Sequence, residues 1–422
     1  MADPSSVLHE DRPLSWGARL AIGTVILCQF VQVDLFVIGA TAVSLQKVSA
    51  AILLPVSIFL MREWLKINPH LCLIAGTMAL AYSANGISTG TVSPKLISAN
   101  VFVLTNLFAS LVLFTALVES KDGIRFLARV CIAAAVISAI ATVGQVAGVL
   151  PWQLRGTGFR LDPNFQALVL VVGMACASVY AGRWRFEIML VIMAGILATY
   201  SRMGIVAAGM VIVVGSFMGD GAARDLKRRW PFLIAGVIVV AGCFVYFGHH
   251  RLNALIVQRF GQGWDQIKLL MSGQAASLVG RLDIQSAEIR VILMHFSFML
   301  ACRNWMHGIG PFQTEQRMYD LTGFPDSVNN TPLDMFLIGG VWGLLAFCVY
   351  WLVVISRCVR LVRKRTRTSE DRLVVLLALV MGVGSLLLSL TYNSIWWLLP
   401  TVALAAERVS SFPAEEGSGA AV

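Results

Sequence analysis

Four arginines stand where a cation is expensive to keep. Arg155 and Arg160 lie in the run Arg155-Gly-Thr-Gly-Phe-Arg160-Leu-Asp162-Pro-Asn164, just ahead of an apolar stretch. Arg202 follows Tyr200 in Thr199-Tyr-Ser-Arg-Met-Gly204, between two apolar stretches with almost no loop. Arg281 follows Gly280 at the start of an amphipathic segment, and Asp326, Asn329 and Asn330 precede another apolar stretch that holds Asp334. An arginine drawn to the centre of a bilayer costs roughly 2.5–3.5 kcal/mol, so it needs a partner, water or a ligand. Several of them converging on one cavity would make an anion site, because the guanidinium fork grips phosphate oxygens in pairs. Plainer readings stand beside this one: Arg155 and Arg160 as interfacial anchors, and Asn329–Asn330 as a helix N-cap.

Other polar residues offer less chemistry. No His, Cys, Asp and Glu cluster has ligand spacing, so neither a metal nor a cofactor is expected; the adjacent His249 and His250 lack carboxylate or Cys neighbours. His295 and His307 read as interfacial residues, and Trp396 and Trp397 as members of an interface belt. Gly308-Ile-Gly-Pro-Phe312 reads as a turn, since a phosphate loop needs a strand before it and a helix after it. The eight cysteines include no CxxC pair, and six fall in apolar stretches, which predicts small apolar packing residues and no disulfide framework.

The elements that must position these groups are helices in lipid. Of 422 residues, 57% are hydrophobic and 13% charged, about half of the roughly 25% charged residues of a soluble domain. The apolar residues come in blocks of roughly 17–25, enough to cross ~30 Å of hydrocarbon as a helix. Soluble enzymes, disulfide scaffolds, disordered chains and outer-membrane barrels are thereby excluded. The polar, acidic start to Pro13 does not read as a cleaved signal peptide. An all-α polytopic membrane protein is predicted, with twelve spans near 17–34, 44–61, 68–87, 97–118, 126–149, 165–182, 186–200, 203–219, 231–247, 333–356, 373–391 and 393–407. The net charge of +10 lies in the connections, where it sets topology and meets anionic lipid, so nucleic acid is not the expected partner. Seven basic residues between Arg357 and Arg372 put that connection, and both termini, on the cytoplasmic side. The expected division is 1–247 for spans one to nine, 248–332 for a long extracytoplasmic loop, 333–408 for spans ten to twelve, and 409–422 for a cytoplasmic tail. Within the loop, Ile289, Ile292, Leu293, Phe296, Met299 and Leu300 recur at helical spacing.

The order of these motifs resembles a known family. Arg155 to Asn164 before a span, then Tyr200-Ser-Arg-Met-Gly204, then a long outer loop with Gly280-Arg281, Gly308-Ile-Gly310 and Asn329-Asn-Thr-Pro-Leu333, is similar to the O-antigen ligase and Wzy-type polysaccharide polymerase superfamily. The resemblance covers roughly residues 150–345. It implies a GT-C-like fold and a metal-independent, inverting glycosyl transfer on the periplasmic side. The donor it implies is an undecaprenyl-diphosphate-linked oligosaccharide. Arg202 and Arg281 match the arginines that hold the diphosphate, and Arg155, Arg160, Asp162, Asn164 and Tyr200 would line the substrate. Stabilising a leaving diphosphate by fixed cations lowers the barrier without proton donation.

One departure bears on the activity. Ligases of this family carry His-Asn where this chain has Asn329-Asn330, and an amide cannot take a proton near neutral pH. Asn329 could only orient an acceptor, which leaves Asp326 or Asp334 as a base; Gln285 also stands where the family often has Trp. The leading expectation is a polymerase of lipid-linked repeat units for O-antigen, capsule or exopolysaccharide in the bacterial inner membrane. Its expected partners are membrane lipids and a chain-length regulator protein. The alternatives are a ligase acting on the lipid A core and, from another class, a flippase for lipid-linked oligosaccharide.

Overall fold

In a computed structural model the structure describes residues 13–31, 34–38, 41–151, 155–160, 162–217, 286–322, 330–363 and 368–410. Fourteen helices and one hairpin make up the described residues: α1 (Trp16–Phe30), β1 (Asp34–Ile38), β2 (Thr41–Ser44), α2 (Leu45–Leu60), α3 (Pro69–Thr89), α4 (Pro94–Val118), α5 (Gly123–Val146), α6 (Pro163–Tyr180), α7 (Arg185–Ala198), α8 (Arg202–Phe217), α9 (Ser286–Arg303), α10 (Thr314–Thr322), α11 (Thr331–Gly339), α12 (Val341–Arg363), α13 (Ser369–Leu387) and α14 (Leu398–Ser410), with single 3-10 turns at Gly182–Trp184 and Ser394–Trp397. The helical expectation holds, with one short antiparallel pair, β1–β2, between α1 and α2. Several helices start on the same local chemistry, a side-chain oxygen on the first free N–H groups followed by proline: Asn68-Pro69, Ser93-Pro94 and Asp162-Pro163.

Among the described residues five helices are long and apolar enough to cross a membrane, namely α3, α4, α5, α6 and α12; shorter apolar helices include α1 and parts of α2, α8 and α9. Their outer surfaces agree with that reading. Ile97, Val101, Leu104 and Phe108 lie exposed along α4, as do Leu352, Ile355, Val359 and Val362 along α12. Such continuous apolar stripes are not left facing water. This is a membrane protein. Inside, small residues let helices close up: a Cβ at Gly173 of α6 would stand 2.1 Å from that of Ala135 on α5.

Two expectations are corrected. The tenth span was expected as one helix over 333–356, but the chain breaks into α11 and α12 at Gly340, whose φ of 60° and ψ of −140° suit glycine alone. Apolar character runs on across the break, so hydropathy hides it. The freed groups are taken up from a distant segment, with the Val341 N–H donating to Trp305 O at 2.7 Å and the Ile309 N–H to Leu337 O at 2.9 Å. Trp396 and Trp397 are not belt residues: they are 1% and 4% exposed, and Trp396 packs 4.3 Å from the ring of Tyr350. The ninth expected span, at 231–247, lies outside the described residues.

The connections gather at two ends of the bundle. One, the basic end, joins the start of α1 to the end of α4 through Ser15 and Glu119, and α12 to α14 through Arg357 and Glu407. The other, the loop end, holds the turns after α1, α3, α5, α7 and α13, together with residues 304–313 and 330–331.

Candidate functional site

The loop between α5 and α6 is shaped by one side chain. Gln145 accepts from the N–H groups of Thr157 at 2.9 Å and Gly158 at 2.8 Å, and donates to Gly158 O at 3.0 Å. Gly158 turns there with φ 57°, and a Cβ would stand 2.7 Å from Gln166 Nε2. The turn aims two arginines in different directions.

Arg155 reaches across to the next helix pair. Its Nε donates to Thr199 O at 3.0 Å and an NH2 group to Asn164 Oδ1 at 3.1 Å. Gly156 N–H also donates to Ala198 O at 3.0 Å. The loop is thereby fastened to the α7–α8 turn, where Tyr200 takes a positive φ of 52° and Arg202, half-buried, opens α8. A Cβ at Gly204 would stand 2.6 Å from that of Ala167, so the start of α8 is held tight against α6. Two motifs 35–45 residues apart in sequence therefore meet through Arg155.

Arg160 turns inward. It is buried, donates to Gln29 O and lies 5.8 Å over the ring of Phe165. Its Nε has no hydrogen-bond partner among the described residues. Burial pushes the guanidinium down to about 10, against the pull of the nearby Asp162 carboxylate, so it is still a cation at neutral pH. An interfacial anchor would keep its head in water, and Arg160 does not. Asp162 itself caps α6, accepting from Asn164 N at 2.6 Å and Phe165 N at 3.1 Å.

The turn between α13 and α14 ties this corner to the rest of the loop end. Ser394 donates to Gln29 Oε1 at 3.1 Å, beside the Arg160 contact. Ser389 donates to Asp334, whose other oxygen lies 3.5 Å from Thr314 Oγ1. Asp334 is 3% exposed, enclosed among hydroxyl groups. Asn330 caps α11, accepting from Leu333 N at 3.0 Å and donating to Leu386 O at 3.1 Å, so its amide is engaged at both ends. Arg281, Asp326, Asn329 and Gln285 lie outside the described residues, as do His249 and His250. Among the described residues no group of three or more His, Cys, Asp or Glu could hold a metal ion.

Sequence reading missed Gln29, Gln145, Ser389 and Ser394, all neutral and all at the ends of apolar runs. The available signal was their polarity: an amide or hydroxyl at membrane depth needs a partner.

Exposed apolar stripes and helices of membrane length define a polytopic helical membrane protein, one end of which gathers Arg155, Arg160 and the start of α8. Residues 188–348 match the family model described as O-antigen ligase, which supports the resemblance to the O-antigen ligase and Wzy-type polysaccharide polymerase superfamily. Members of that family are glycosyltransferase-like enzymes, both ligases and polymerases. The matched stretch runs from α7 into α12 and includes Arg202, Arg281, Asp326, Asn329 and Asn330, while Arg155 to Asn164 lie before it. No curated protein matches the chain.

Proposed function

We propose that the protein polymerises undecaprenyl-diphosphate-linked oligosaccharide repeat units on the periplasmic side of the inner membrane, with both termini cytoplasmic and a twelve-span, GT-C-like arrangement. The observation that carries this reading is the Arg155 guanidinium spanning Asn164 and Thr199, which joins the loop before α6 to the turn that opens on Arg202. In the reaction an acceptor hydroxyl attacks the anomeric carbon of the donor glycan from the face opposite the diphosphate. The bond from that carbon to the diphosphate oxygen breaks, and the configuration inverts. Arg202 and Arg281 hold the departing diphosphate, whose growing charge their fixed cations stabilise. Asp326 takes the acceptor proton, with Asn329 orienting the hydroxyl. The enclosed Asp334 is instead a brace for α11.

A ligase passing glycan to the lipid A core is the second reading, favoured by the description of the matching family. The match to an enzyme family weighs against the flippase. Incubation of the purified protein with undecaprenyl-diphosphate oligosaccharide separates the readings. A ladder of products is expected; a single shift onto added core lipid makes it a ligase, and movement across vesicles without new bonds overturns both. The orientation has its own test. In a variant cleared of native cysteines, an impermeant thiol reagent should label a cysteine placed at Gln313 in intact cells and miss one at Ser369.

A further inference from the structure

Residues 304–313 cross the loop end in a conformation that the chain does not adopt readily. Gly308 and Gly310 have φ of 66° and 89°, and Phe312 then takes φ 54° although it carries a side chain. Only Phe312 and Tyr200 do so among the described non-glycine residues. A bulky residue at positive φ persists only where its surroundings over-determine it, and such positions cluster at functional sites. Here the surroundings are explicit. The Gly310 N–H donates to Ile338 O at 3.0 Å, Asn85 Nδ2 to Gly308 O at 2.9 Å, and Lys95 Nζ to Phe312 O at 3.0 Å.

What this backbone presents is a ring. Phe312 stacks on Tyr392 with centroids 4.2 Å apart and planes 19° apart, and Tyr392 stacks in turn on Tyr82 at 5.5 Å and 26°. Hydrogen bonds lock the ladder: Phe312 N–H donates to the Tyr392 hydroxyl at 3.1 Å, and the Tyr82 hydroxyl to Thr391 O at 2.8 Å. Tyr82 is fully buried and Phe312 is 41% exposed, so the ladder rises from the core and ends in an open aromatic face. The Lys95 ammonium donates to the Phe312 backbone carbonyl, and the α3–α4 turn just before Lys95 exposes the hydroxyls of Thr89 and Thr91, which are bonded to each other. Tyr392 is two residues from Ser394, which touches the Gln29 that takes Arg160. Two residues span at most ~7 Å.

We propose that Phe312 is a stacking platform for a pyranose ring of the glycan. A pyranose has an apolar C–H face and a rim of hydroxyls, which matches an exposed ring with an ammonium at its own carbonyl. An acyl chain would need neither those polar neighbours nor a ring held at positive φ. The proposal rests on the reading of this protein as an enzyme of lipid-linked glycans, and adds where the sugar, as opposed to its diphosphate, is held.

The test separates the two. Full-length protein in nanodiscs is titrated with two probes: the oligosaccharide released by mild acid from the producing cells' own polyprenyl carrier, and undecaprenyl diphosphate without sugar. The wild type should bind both. Phe312→Gly removes the ring while relaxing the backbone, so the fold should hold its thermal midpoint. It should weaken oligosaccharide binding roughly tenfold, the scale of one stacked ring, and leave undecaprenyl diphosphate binding unchanged. Phe312→Trp should restore the oligosaccharide affinity. Equal oligosaccharide binding by wild type and Phe312→Gly would overturn the platform, as would a wild type that binds undecaprenyl diphosphate and no oligosaccharide. Oligosaccharide binding that depends on Phe312, with no affinity for undecaprenyl diphosphate, would keep the platform and remove the diphosphate site.

Discussion

The basic end and the loop end of the bundle hold their ionisable groups by different means. At the basic end charge meets charge at three places, while Glu119 is held by Ser15. Glu407 pairs with Arg357 at 2.7 Å and with Arg360, Asp122 with Arg125 at 3.1 Å, and Glu63 with Lys66 at 3.2 Å. At the loop end Arg155 is held by a carbonyl and an amide oxygen, Arg160 by a carbonyl and a ring face, and Asp334 by hydroxyl groups. A paired cation has its field largely cancelled within a few ångströms, whereas neutral acceptors fix a guanidinium and leave its charge to act on something else. The first arrangement builds a scaffold, and in the second the bonds that fix the guanidinium groups of Arg155 and Arg160 run to neutral acceptors, with the Asp162 carboxylate near Arg160.

That contrast predicts different losses at the two ends. The largest effect should come from Arg202→Ala and Arg281→Ala, each lowering polymer yield per folded protein on the order of 10²-fold, as loss of a fixed charge stabiliser does. Lysine should rescue only partly, since a point charge cannot reproduce the fork. Yield normalised to inserted protein is the measurement, and near-normal yield from both alanine variants would break the comparison. Glu407→Ala should do the opposite, leaving turnover per folded molecule unchanged. Thermal unfolding in detergent should show a cost of about 2–3 kcal/mol, because buried Arg357 loses its counter-ion.

The comparison sharpens at Arg160. Replacing this buried cation, which has the Asp162 carboxylate nearby but is bonded to the neutral Gln29 carbonyl, by the apolar Met should leave stability within about 1 kcal/mol of wild type or raise it. Product formation should nonetheless fall roughly tenfold, a charge-assisted hydrogen bond's worth. A stability loss as large as that of Glu407→Ala would make Arg160 a structural strut. The smallest effect is expected at Asn330→Ala, about 1 kcal/mol of stability from the lost α11 cap with turnover per folded protein retained.

Much of the helical layout is readable from residues alone, because apolar blocks and cap–proline pairs such as Ser93-Pro94 and Asp162-Pro163 are local signals. The exceptions have non-local causes. The break at Gly340 depends on Trp305 supplying a carbonyl to Val341, and nothing in the hydropathy of 333–356 announces that partner. Trp396 looks like a belt residue until Tyr350, 46 positions away, packs against it. The site shows the same division. Arg155 and Arg202 stand out as costly cations, but the bond from Arg155 to Thr199 is a product of helix packing, and Ser389 gives no sign of reaching Asp334. Residue type marks the candidates, and only packing tells which of them meet.

The pairing of Arg357 with Glu407 also sets an order of events during synthesis. The chain is made from its N-terminus, so α12 enters the membrane before α14 exists. Until α14 arrives, Arg357 has no carboxylate at its side and Tyr350 has no Trp396 to cover it. A molecule halted between the two helices is therefore a distinct species, without the carboxylate that pairs Arg357 and the indole that covers Tyr350 in the finished fold.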